Sequence, residues 1–185
     1  MAIYNTASDA ANTAVRALLT KVGEHYLGRS FNTGSGRGKA DWERIRDVAF
    51  EGKCCYCGAA GETLQIEHLF MFNRTEYGLH HPRNIVPCCR SCNKRQRNED
   101  KTYLGWMEHL RAICESRGEQ HLFDVRLNKI TDHMRVEKYP DLNQEERHAI
   151  RVIANALYEN IKQESERSLT LYKKLDEAFV HRNAD

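Results

Sequence analysis

The sequence predicts an α+β protein, mostly helical, with a small cysteine-bounded module set among helices. Three observations predict it. Apolar residues recur at helical spacing over residues 9–27 and through most of the chain beyond residue 100. Two short runs, "TLQIEH" at 63–68 and "IVP" at 85–87, carry strand signals. Six of the seven cysteines fall into two clusters, "CCYCG" at 54–58 and "CCRSC" at 88–92. The chain divides accordingly into an N-terminal helical segment with a Gly/Ser-rich basic loop (1–52), the cysteine-bounded module (53–99) and a C-terminal helical region (100–185).

Each element has a local reason. Ala11, Val15, Leu18, Leu19, Val22 and Tyr26 line one face of a helix that Gly28 should stop. "GRSFNTGSGRGK" (28–39) reads as a flexible linker, with a basic arm that orders on phosphate as the sharper reading. Asp41 is placed to cap a short helix presenting Trp42, Ile45 and Val48 and ending at Gly52. Ser91 or the second cysteine pair is expected to open a polar, basic helix through about Asn98. Trp106, Leu110, Ile113 and Cys114 share a helical face before Gly118, and Leu122, Val125, Ile130 and Met134 mark another before Pro140. Asn143 and Glu146 have capping-box spacing ahead of the stripe Ile150, Ile153, Ala154, Leu157 and Ile161. With no Gly or Pro from Asp141 to Asp185, this is one long helix or two with a break near Ser165.

Composition narrows the class. No stretch approaches about 18 apolar residues, so no membrane span is expected. "MAIYNTASDA" has neither a basic flank nor an apolar run, so it does not read as a signal peptide, and the expected location is the cytoplasm. Thiols there stay reduced, and the cysteine count is odd, which argues against a disulfide framework. Net charge is only +2, but the run from Arg83 to Lys101 carries six basic residues against Glu99 and Asp100.

Two C-x-x-C units flanking a segment of this length read as four ligands of one tetrahedral zinc ion. The best spacing pairs Cys54 with Cys57 and Cys89 with Cys92, leaving Cys55 and Cys88 as neighbours of the ligands. The doubled cysteines leave C-x-C and C-x-x-x-C registers open, and a redox pair or free core thiols are the bland readings. A structural zinc contributes an apparent ~10–16 kcal/mol. Whole domains are stable by only about 5–15 kcal/mol. The ion is therefore expected to decide whether the module is ordered.

Between and after the clusters stand Glu67-His68, Asn84-Ile85-Val86-Pro87 and Cys92-Asn93. In order, a C-x-x-C, an acidic residue followed by His, an Asn heading a short strand, a second C-x-x-C and a trailing Asn resemble the HNH nucleases of the ββα-metal (His-Me finger) class. The resemblance covers roughly residues 54–97. It implies a zinc-stapled ββα-metal core and metal-dependent hydrolysis of DNA. By resemblance, His68 is the general base, Glu67 and Asn93 supply oxygens to a catalytic Mg²⁺ or Mn²⁺, and Asn84 orients the loop. This chain has Glu67 where the family more often has Asp. Taken alone, His68 is a hydrogen-bonded strand histidine, Asn84 a turn residue and Asn93 a helix-start cap. His80 and His81 in "GLHHP" read as exposed loop residues outside the catalytic set.

Beside such a motif, Arg90, Lys94, Arg95 and Arg97 are expected to contact DNA phosphates, although a charge run is ordinarily a solvated face. A homodimer through the C-terminal helices is the expected route to double-strand cleavage. The alternative is a non-catalytic zinc-ribbon module that binds nucleic acid or protein, and a weaker one is an RNA-directed nuclease.

Overall fold

The computed structural model describes residues 6–61, 63–98, 102–136 and 138–180. Residues 1–5 at the start of the stretch weighed as a leader, and Glu99, Asp100 and Lys101 of the basic run, lie outside the described residues. The fold is mixed, with five α-helices and a two-stranded sheet among the described residues. In chain order they are α1 (Ala7–Leu27), α2 (Gly36–Arg44), β1 (Gln65–His68), β2 (Ile85–Cys88), α3 (Trp106–Ser116), α4 (Phe123–Arg135) and α5 (Gln144–Leu175). Single π-helical turns continue α2 over Ile45–Ala49 and α5 over Asp176–Val180.

The helix ends follow local chemistry. Thr6 and Asp9 exchange side-chain bonds across the first turn of α1, and Gly28 closes it in the left-handed region at φ 72°. Asn143 and Glu146 make the reciprocal cap that opens α5. α5 runs unbroken through Ser165, whose hydroxyl bonds the Ile161 carbonyl, so the helix is one and not two.

Two cores divide the apolar residues. One gathers Phe31, Trp42, Phe50, Tyr56, Ile85 and Leu110 around the strands and cysteines. The other lies between α1 and α5, where Val15 and Leu19 meet Ile150, Ala154 and Tyr158. The Tyr26 hydroxyl, at the end of α1, donates to Glu146 at the start of α5, which sets the packed helices antiparallel. Leu79, from the loop between the strands, is buried in this second core, so the loop ties the two together.

β1 and β2 pair antiparallel, with Glu67 opposite Val86 and His68 opposite Ile85. The long loop between them is held in two ways. Asn84 donates to the carbonyls of Phe70 and Leu79 (2.9 and 2.8 Å) and accepts from the Phe70 amide (2.7 Å). Gly78 and Gly23 let backbones meet. A Cβ on Gly78 would fall 2.1 Å from the Phe70 carbonyl oxygen, and one on Gly23 of α1 would fall 2.3 Å from that of His80. α1 is thereby seated directly on the loop.

Three sequence expectations are corrected. No helix forms over 91–98. The chain turns at Asn93, where its amide bonds the Cys89 carbonyl, and then runs extended, with Asn98 and Leu104 amides donating to Thr102 and Gln96. The polar, basic composition suits a helix surface, but the Arg95 side chain is drawn inward and holds the backbone open. Residues 28–39 are not a free linker, because Phe31 is 1% exposed in the first core and α2 already begins at Gly36. Asp41 is not a cap. It lies inside α2 and pairs with Arg29 (2.6 Å) and Arg44 (3.5 Å). Among the described residues, no helix is long and apolar enough to cross a membrane.

Candidate functional site

The Sγ atoms of Cys54, Cys57, Cys89 and Cys92 all lie within 4.8 Å of one another and are buried. These are the four the spacing favours, and Cys55 and Cys88 stand beside them. Each C-x-x-C forms a tight turn, with Gly58 N bonded to Cys54 O and Asn93 N to Cys89 O. Thiolates about 2.3 Å from a tetrahedral zinc sit about 3.8 Å apart. Cys57 and Cys89 are separated by 3.7 Å. The cluster can therefore hold a structural metal such as zinc. The protein around it is built to keep it in place. His109 of α3 donates to the Cys92 carbonyl (2.8 Å), and Arg126 of α4 donates to that of Cys57 (3.1 Å).

The thiols polarise one another. Hydrogen bonds from Cys55, Cys88 and Cys92 pull Cys54 far below the ordinary thiol range. Acting as donors to Cys54 pushes Cys88 and Cys92 far up, and burial raises Cys57 to about 11. Crowding thiolates together without a cation is therefore unfavourable. A divalent ion is what allows four negative sulfurs to stand together, and its binding must release protons.

Glu67 and His68 leave β1 on opposite faces, as adjacent strand residues do. Glu67 is buried and forms an ion pair with Arg95. Arg95 also donates to the carbonyls of Leu69 and His68 and to the Tyr56 hydroxyl. Burial pushes the Glu67 carboxyl above its usual range, against the pull of Arg95. Arg95 is therefore corrected from a surface phosphate contact to an internal brace, with its side chain 2% exposed. The Asn93 side chain turns to Gln65. Its amide donates to Gln65, which shares the Glu67 side of the strand (3.0 Å). Arg90, Lys94 and Arg97 are exposed, and Arg97 bonds the Tyr103 hydroxyl (2.9 Å).

His68 forms the other half of the site. Its Nε2 lies 3.0 Å from Nδ1 of His80, and its ring stacks on Phe72 at 4.8 Å. Burial, with the neighbouring His80, Arg16 and Arg95 charges, lowers the His68 pKa to about 3, so the ring is neutral at pH 7. Burial lowers His80 to about 4, and the Glu24 carboxylate opposes that fall. Glu67, His68, Arg16, Met71 and Phe72 border an open cleft of about 240 Å³. The acidic residue and the histidine thus meet at one cleft despite leaving the strand on opposite faces.

Two neighbours of His68 escape sequence reasoning. Arg16 reads as an ordinary exposed position of α1, and its arrival beside His68 depends on α1 docking through Gly23. His80 is corrected from an exposed loop residue to the hydrogen-bond partner of His68. His81, its neighbour, is buried. The signal for both was the close-approach glycines, which show only in the fold. Comparison with known protein families, curated proteins and solved structures finds no match to this chain. The resemblance to HNH nucleases accordingly rests on the quoted residues themselves.

Three outcomes are expected. Cys89→Ala should lose the bound metal and the cooperative unfolding of the module, whereas Cys88→Ala should stay metal-loaded. Metal content and thermal melting of the purified variants check this, and the reverse pattern would mean a different register. Arg95→Leu should destabilise the protein by about 3–5 kcal/mol, because it strands a buried carboxylate. A surface arginine would cost within about 0.5 kcal/mol, and urea denaturation separates the two. Acid should also destabilise the fold. His68, His80 and His133 are held neutral, with pKa values of about 3, 4 and 4. Unfolded histidine titrates near 6.5. Below that pH the unfolded chain binds protons that the folded chain refuses, so stability is full above about 6.5 and falls towards pH 4, by up to about 1.4 kcal/mol per pH unit for each histidine. Unchanged urea midpoints between pH 7 and pH 5.5 would contradict it.

Proposed function

We propose that the chain is an HNH-type endonuclease that hydrolyses DNA phosphodiester bonds, with His68 as the general base. The observation that carries this reading is the neutral His68 imidazole, hydrogen-bonded to His80 at an open cleft beside Glu67 and Arg16. A neutral imidazole can take the proton of an attacking water. A phosphate in the cleft brings negative charge that raises the basicity of the ring, and the Arg16 guanidinium offers that phosphate a counter-charge. Asn84 acts by position, clamping the loop that starts beyond His68. Zinc on Cys54, Cys57, Cys89 and Cys92 is structural. Arg90, Lys94 and Arg97 remain the exposed cations for neighbouring phosphates.

The Mg²⁺ or Mn²⁺ that the resemblance implies does not fit Glu67 and Asn93 as they stand. The carboxylate is engaged by Arg95 and the amide by Gln65. The same two contacts favour the second reading, a non-catalytic zinc-ribbon module that binds nucleic acid or protein. For cleavage of both strands, we assign the homodimer contact to the C-terminal part of α5, where Leu169, Tyr172 and Leu175 are exposed.

Plasmid nicking in the presence of Mg²⁺ or Mn²⁺ separates the readings. The wild type should nick, and a folded, metal-loaded His68→Ala should lose roughly 100-fold or more of that rate, the usual contribution of a general base. Equal rates in the two proteins would overturn His68 as the base, and no nicking in either would remove the nuclease reading and leave the binding module.

A further inference from the structure

We propose that the groove beside Phe70 binds an unpaired nucleobase, so that the DNA engaged is single-stranded next to the phosphate at His68. The inference deepens the nucleic-acid reading above and rests on it, but it does not depend on catalysis. The groove, of about 680 Å³, runs between Phe70 and the facing surfaces of α3 and α4. Phe70 and Tyr139 lie nearly parallel, with ring centroids 5.2 Å apart. Tyr139 is fixed, because its hydroxyl accepts from the Leu79 amide (3.0 Å). Trp106, Met107 and Met134 complete an apolar wall, and Phe70 and Met107 are 37% and 41% exposed.

The rim says what fits the wall. Among the described residues, Arg135, Lys138 and Arg147 border the groove together with one acid, Asp141. Arg147 is anchored by its bond to the Leu142 carbonyl (2.8 Å). An apolar ring platform inside a cationic rim complements a flat base attached to an anionic backbone. A base inside a duplex has both faces covered by its neighbours, so only an unpaired one can lie against Phe70. The position is also right for a strand crossing the cleft. Residues 68 and 70 are two steps apart, and their Cα atoms cannot be separated by more than about 7 Å. A strand with one phosphate at His68 therefore brings an adjacent base within reach of Phe70.

Fluorescence anisotropy with a short labelled oligothymidine tests this, alone and annealed to its complement, with the probe shown intact by gel after each titration. The single strand should bind at least roughly tenfold more tightly than the duplex. Phe70→Leu, which keeps an apolar side chain and removes the ring, should weaken single-strand binding by roughly tenfold, the scale of one stacked base, and leave duplex binding unchanged. Met107→Glu, on the exposed wall, is the second variant and should weaken the single strand in the same selective way. Equal binding of strand and duplex, or full single-strand affinity in both variants, would overturn the proposal. So would a concentration-dependent doubling of mass that Phe70→Leu abolishes, which would give the groove to a second copy of the chain. Selective single-strand binding without any plasmid nicking would leave the groove standing and remove only the nuclease reading.

Discussion

Four sulfur atoms from two distant turns must occupy one small volume, and the cleft depends on that constraint. One C-x-x-C precedes β1 and the other follows directly on β2, so the cluster ties together the two outer ends of the hairpin. A two-stranded ribbon with a long connection is marginal by itself. The closure at the cysteines holds the start of β1 against the end of β2, where Gln65 pairs with Cys88, and Glu67 and His68 follow two and three residues on. α3 and α4 then grip the same turns through His109 and Arg126, and His133 of α4 donates to the carbonyl of Ile85 at the head of β2 (3.0 Å). The helices are thus docked on the backbone of the cluster and strands by polar contacts as well as by the shared apolar core.

The site is organised by a division of labour across one strand. Glu67 turns inward to an arginine that also ties down three other groups, while His68 turns towards a second histidine and α1. A buried carboxylate–guanidinium pair is costly to desolvate and is sustained only by further hydrogen bonds. Arg95 supplies them, to Leu69, His68 and Tyr56. The pair therefore works as a brace across the base of the cleft. His68 is held by neighbours that come from elsewhere in the chain: His80 from the loop, Phe72 beneath its ring, and Arg16 from a helix more than fifty positions upstream. The cleft exists because the loop is pinned at both levels, by Asn84 from within and by α1 from outside.

Much of this was legible in the sequence, for reasons that are local. The four clustered cysteines were readable because C-x-x-C spacing fixes sulfur geometry within one turn. The reciprocal cap of Asn143 and Glu146, the Gly28 stop and the two strands follow from short patterns for the same reason. What failed was tertiary. Residues 91–98 have the polarity of a helix surface, yet a buried ion pair nearly thirty positions back along the chain claims Arg95 and keeps the segment extended. Arginine is so seldom buried that no pattern in the chain marks this one. Phe31 in a Gly/Ser-rich stretch was masked by its neighbours' composition. Arg16 and His80 became site residues only through the contact of α1 with the loop, which no spacing encodes.

The central claim is that one metal ion, held by four thiolates, orders the module that carries the cleft. X-ray absorption at the zinc edge of the purified protein tests it most directly. One zinc per chain, with four sulfur neighbours near 2.3 Å and no nitrogen or oxygen in the first shell, is the predicted spectrum. A metal-free protein with an intact fold, or a first shell containing light atoms, would contradict it.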